Sequence, residues 1–93
     1  MKIQAVLTIT GKVQGVCYRA NAQTHAQKLS LTGWVRNMPD GSVKVVCQGE
    51  PSSIESFVTW CKQGPPAASV RSVNVKKQPL EDEKLFDSFD ITG

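Results

Sequence analysis

The chain has 93 residues, 40% of them hydrophobic and 20% charged, a size and balance that suit one small globular domain and exclude both disorder and a two-domain enzyme with its own cofactor domain. Eleven Lys and Arg against eight Asp and Glu leave a net charge of +3, a mild attraction for anions that falls short of a polybasic patch. So small a domain buries only roughly 60 to 65% of its unfolded surface, which excludes a deep enclosed cavity and places any site in a shallow cradle at an edge.

From Lys2 to Thr10, Ile3, Ala5, Leu7 and Ile9 alternate with mostly polar neighbours, the period of a strand, β1, with one covered face. Gly11 to Cys17 carries two glycines and little periodicity. Tyr18, Ala22, Ala26 and Leu29 then recur at helical spacing and predict α1 through about Ser30. Leu31 to Met38 reads as β2 and Ser42 to Gln48 as β3, a hairpin closed by Pro39-Asp40-Gly41 with Gly where positive φ is needed. Ser52-Ser53-Ile54-Glu55 has the spacing of a capping box, and Ile54, Phe57, Val58 and Cys61 mark the buried stripe of a second helix, α2. After the Gln63-Gly64-Pro65-Pro66 turn, Val70, Val73 and Val75 predict β4 to about Gln78. An acidic loop at Glu81 to Glu83 and a short edge strand within Phe86 to Ile91 complete the chain.

The order βαββαβ predicts an α/β (α+β) ferredoxin-like sandwich over residues 1–93, with two helices on one face of an antiparallel sheet. A right-handed crossover through α1 makes β1 and β2 parallel, with β3 between them. The loop after β1 and the carboxyl end of β2 then emerge at the same sheet edge, about 10 Å apart. One ligand there can be reached from both.

Gly11-Lys12-Val13-Gln14-Gly15-Val16-Cys17-Tyr18-Arg19 joins a strand to a helix amino terminus, where unpaired N–H groups and the helix dipole favour an anion. Its glycines lack Walker A spacing, and no Gly-Lys-Ser/Thr follows. Arg19 falls in the first helical turn, where the dipole disfavours a cation unless an anion lies between it and the N–H groups. On position alone it is either the partner of a phosphate or carboxylate or a surface arginine. Asn37, the last polar residue of β2, is either an amide that holds a water by donating and accepting at once or a residue that satisfies turn backbone.

These two stretches carry a resemblance. GKVQGVCYR (11–19) supplies Gly11, Val13, Gln14, Gly15, Val16, Tyr18 and Arg19, and GWVRNMPDGSVKVVCQG (33–49) supplies Gly33, Trp34, Val35, Arg36, Asn37, Gly41, Val43 and Gly49. Both are similar, at every fixed position, to the signatures of the acylphosphatases, small enzymes that hydrolyse the carboxyl-phosphate bond. The resemblance implies a metal-independent, cofactor-free hydrolase of acyl phosphates that releases inorganic phosphate. It implies that the N–H groups of Gln14, Gly15, Val16, Cys17, Tyr18 and Arg19 and the Arg19 guanidinium bind the phosphoryl group, and that Asn37 orients the attacking water. A carboxylate leaving group, whose conjugate acid has a pKa of roughly 4, needs no general acid, consistent with a chain lacking a carboxylate dyad.

Three cysteines without a CxxC and a single His leave no zinc-ligand set, and three thiols cannot all pair internally. A reduced, cytoplasmic protein is expected, a monomer with neither membrane nor nucleic-acid partner. Cys17 sits at a helix amino terminus near Arg19, and both features favour a thiolate. It is either the most oxidisable thiol of the three or an inert residue packed beneath the loop, whereas Cys47 and Cys61 read as core. His25 reads as a partly exposed helical residue, Lys76, Lys77 and Lys84 as solvated charge, and the roles of Tyr18 and Trp34 stay open. RNA-recognition domains share this element order, but β1 and Ser42 to Gln48 offer no aromatic for base stacking. The alternative is a non-catalytic phosphate-binding or interaction module with the same cradle.

Overall fold

In the computed structural model, which describes residues 1–80 and 85–93, the order is β1 (Ile3–Lys12), α1 (Tyr18–Lys28), β2 (Thr32–Asn37), β3 (Val43–Gly49), α2 (Pro51–Gln63), β4 (Ser69–Pro79) and β5 (Phe89–Ile91). The expected acidic loop at Glu81 to Glu83, and Lys84, lie outside the described residues. Ala5, Leu7 and Ile9 of β1 are fully buried, and Val6, Thr8 and Thr10 between them are half-buried. Alternation therefore assigns one sheet face to the core, where Val35, Val43, Val45 and Cys47 join them beneath both helices.

The strand order is β4-β1-β3-β2-β5. β3 pairs antiparallel with both β1 and β2, so β1 and β2 run parallel, as a right-handed crossover through α1 requires. β5 pairs parallel with β2 through Gly33↔Phe89 and Val35↔Ile91, which makes the sheet mixed where an antiparallel one was expected. The direction follows from connectivity. β4 runs against β1 and hence against β2, so a chain that reverses after β4 and crosses to the far edge returns along β2.

α1 presents Tyr18, Ala22 and Ala26 to the core and ends at Lys28, two residues before the expected limit. Ser30 adopts a left-handed φ of 58°, while the Ser30 and Leu31 N–H groups donate to Gln27 O and Ala26 O. This is a Schellman stop, which satisfies the last carbonyls of the helix. α2 starts at Pro51 with Glu50 as its N-cap and no side-chain cap, so the expected box at Ser52 to Glu55 does not form. Proline's preset φ and missing N–H suit the first helical position and start the helix upstream of the serines. Its buried stripe is the expected Ile54, Phe57, Val58 and Cys61.

Between β2 and β3 the Met38 N–H donates to Ser42 O (2.8 Å) and the Gly41 N–H to Met38 O (3.1 Å). Gly41 takes a φ of 94°, as the sequence requires. Asp40 Oδ1 accepts from both the N–H and the hydroxyl of Ser42, at 2.9 and 2.6 Å, and these bonds hold its carboxyl below the usual carboxylate range.

Candidate active site

The chain leaves β1 through a register shift between Thr10 and Gly11, a bulge of the kind that re-aims a strand end. Val13 and Val16 bury their side chains and anchor the loop from below. Gly15 and Cys17 adopt left-handed φ values of 73° and 63°, with Val16 at negative φ between them. Alternating handedness is the backbone pattern of a nest, in which successive N–H groups share one concave side and bind an anion. A Cβ built on Gly15 meets nothing within 4 Å, so glycine is needed there for its φ, and the space above the loop is open. Cys17 is also the N-cap of α1, whose first turn carries Arg19 and no acidic residue.

Asn37 closes β2 on the other side of this space. Gly15, Cys17, Tyr18, Arg19 and Asn37 line one open depression of about 360 Å³, so the topology brings the two separated signatures together. Arg19 Nη1 donates to the backbone oxygen of Gly93, which also accepts the Asn37 N–H at 3.0 Å. Among the described residues, Asn37 Oδ1 is buried with no hydrogen-bond partner. Buried polar atoms are rarely left so, and one at a concave site is a candidate contact for a ligand or a water.

The side chains of the other two expected loop residues lie outside the depression. Val16 turns its side chain to the core, and Gln14 Nε2 donates to both Met38 O and Ser42 O at 2.9 Å. Ile91 lines the depression and Gly93 meets Arg19 and Asn37 without either having been foreseen, since the pairing of β5 with β2 carries the end of the chain there. No local signal in the sequence marks them.

Tyr18 is a core residue: its hydroxyl donates to Cys61 O at 2.8 Å and ties α1 to α2, and burial pushes its ionisation far above the usual phenol range. Trp34 neighbours fully buried Val35 along β2 and so belongs to the face away from the helices. His25 is half-buried and stacks on Trp60, with ring centroids 4.5 Å apart. Cys17 is exposed; Cys47 and Cys61 are buried, and burial pushes each thiol up to about 12. Lys77, expected to be solvated charge, pairs with Glu55 of α2, although both side chains remain largely exposed. Among the described residues, no group of three or more His, Cys, Asp or Glu side chains is placed to hold a metal ion.

The family model described as Acylphosphatase matches residues 5–91. An acylphosphatase of Acaryochloris marina is 47% identical over 79 residues, covering 85% of each chain. An acylphosphatase structure from Coxiella burnetii matches with a TM-score of 0.90 at 37% identity, covering 98% of this chain and 93% of that one. One from Bacillus subtilis matches with a TM-score of 0.92 at 32% identity, covering 98% and 99%. Two helices on one face of a five-stranded sheet, one depression lined by the β1–α1 loop, Arg19 and Asn37, and a family match over nearly every residue agree: the chain belongs to the acylphosphatase family.

Proposed function

We propose that the chain hydrolyses acyl phosphates to a carboxylate and inorganic phosphate, with the N–H groups of residues 14–19 and the Arg19 guanidinium gripping the phosphoryl end. Asn37 orients the water that attacks phosphorus. The observation that carries this division is the buried Asn37 Oδ1, unpaired among the described residues, in the depression that Arg19 also lines. An unsatisfied buried acceptor costs about 1–3 kcal/mol, a cost offset when a water donates to it. The same amide's NH₂ can hold that water's lone pair.

Charge and position then suffice for the chemistry. The cradle meets negative charge on the phosphoryl oxygens with fixed N–H dipoles, the α1 amino terminus and a guanidinium, which need no reorganisation as the transition state forms. The leaving carboxylate is stable without a proton, so no side chain has to act as an acid. Residues 1–93 act as one domain without a metal or organic cofactor. The chain works as a cytoplasmic monomer with no nucleic-acid or membrane partner. No helix of the described residues is long and apolar enough to cross a membrane.

Hydrolysis of benzoyl phosphate in excess chelator, followed for the wild type, Arg19→Ala and Asn37→Ala, tests the reading. Chelator-resistant turnover lost in both variants is the expected result. A folded wild-type protein that binds phosphate yet leaves the acyl phosphate intact is a binding module instead.

A further inference from the structure

Gln14 stands beside the catalytic elements without lining the depression. Its carboxamide nitrogen has two hydrogens, and the structure spends both across the gap between the cradle and the β2–β3 turn, on Met38 O and Ser42 O at 2.9 Å each. Those two carbonyls already close the turn on themselves, since Ser42 O accepts the Met38 N–H and Met38 O the Gly41 N–H. A carbonyl has two lone pairs, so Gln14 takes the second acceptor site on each. Met38 directly follows Asn37, and Gly15, which directly follows Gln14, begins the left-handed nest.

Resting on the proposed roles of Arg19 and Asn37, we infer that Gln14 is a positioning residue: its amide clamps the phosphate cradle to the Asn37 turn and sets the distance between bound phosphoryl group and attacking water. The turn is rigid on its own account through Asp40 and Ser42, and the cradle through Val13 and Val16 in the core. Each half thus has internal support of its own, and what the clamp fixes is their relation. An in-line displacement is sensitive to that relation, and a misplacement of about 1 Å costs as much as roughly 100-fold in rate. Anion binding, made within the cradle, is insensitive to it.

The test uses two variants of the full chain, checked by circular dichroism for folding. Gln14→Leu keeps the approximate volume and removes both donors. Its kcat is expected to fall about 10- to 100-fold, with inhibition by inorganic phosphate altered less than about threefold. Gln14→Glu keeps the shape but, ionised, faces two carbonyl oxygens with no hydrogen to give; that surrounding raises its pKa, and protonation restores one donor. The ratio of Gln14→Glu to wild-type kcat is therefore expected to rise as pH falls from about 8 to about 5. Asp40, the acidic group of the same turn, has its pKa lowered and is common to both proteins, so it stays charged over that range and cancels in the ratio. A ratio independent of pH, or Gln14→Leu turnover equal to wild type, overturns the clamp and leaves the hydrolysis standing. Phosphate affinity lost in step with kcat assigns Gln14 to the cradle alone and equally overturns it. Should Gln14→Leu not fold, the pH ratio of Gln14→Glu decides; absence of wild-type turnover overturns both readings.

Discussion

Arg19 and Asn37 are joined through a single atom: the guanidinium of one and the backbone N–H of the other both donate to the oxygen of Gly93. A long, flexible side chain is thereby held beside the end of β2 before any substrate arrives. Ordering such a side chain costs about 0.5–1.5 kcal/mol, and the contact supplies that order in advance. Deleting Gly93 is expected to raise KM for an acyl phosphate about 2- to 10-fold, with a smaller change in kcat. Steady-state kinetics on the shortened chain check this, and an unchanged KM means that Arg19 is ordered by other contacts.

The two residues should fail in different ways. Arg19→Ala removes charge from both the bound and the transition state, so kcat/KM is expected to drop about 100- to 1,000-fold while inhibition by inorganic phosphate weakens strongly. On the role proposed for it, Asn37→Ala removes the water's partner and leaves the cradle, so kcat is expected to fall about 100-fold while phosphate inhibition shifts less than about threefold. Equal loss of phosphate affinity in both variants contradicts separate roles.

Cys17 differs from the other thiols by location. It is exposed at the rim of the depression, whereas Cys47 and Cys61 are buried and held as thiols by ionisation shifted up to about 12. Mild peroxide or a mixed-disulfide reagent should modify Cys17 first, blocking phosphate entry, and inorganic phosphate should slow the modification. Peptide mass spectrometry that found Cys47 or Cys61 oxidised ahead of Cys17 would refute the assignment.

Ser30 ends α1 in a left-handed conformation that glycine adopts at lower cost. Ser30→Gly is expected to stabilise the fold by about 0.5–1 kcal/mol with turnover unchanged, because Ser30 takes no part in the site. Urea unfolding gives the measurement. A lowered midpoint means that the greater freedom of glycine in the unfolded chain outweighs the relief.

Local pattern was enough for much of this molecule. The period of two in Ala5, Leu7 and Ile9 and the stripe of Ile54, Phe57, Val58 and Cys61 mark the faces that the structure buries. Short-range burial alone sets those patterns, and chain order with one crossover rule then brought 11–19 and Asn37 to the same edge. A local signal also misled: the spacing from Ser52 to Glu55 suggests a capping box, and the backbone instead starts the helix at Pro51.

What tertiary structure alone decided is what depends on residues far apart in the chain. Gln14 meets Met38 across 24 positions and Arg19 meets Gly93 across 74. A glutamine that clamps and one that binds a ligand have the same letters around them. The parallel run of β5, and with it the arrival of Ile91 and Gly93 at the site, follows from the path taken after β4. Periodicity reports which face of an element is covered; which partner covers it, and at what distance, is fixed only when the whole core packs.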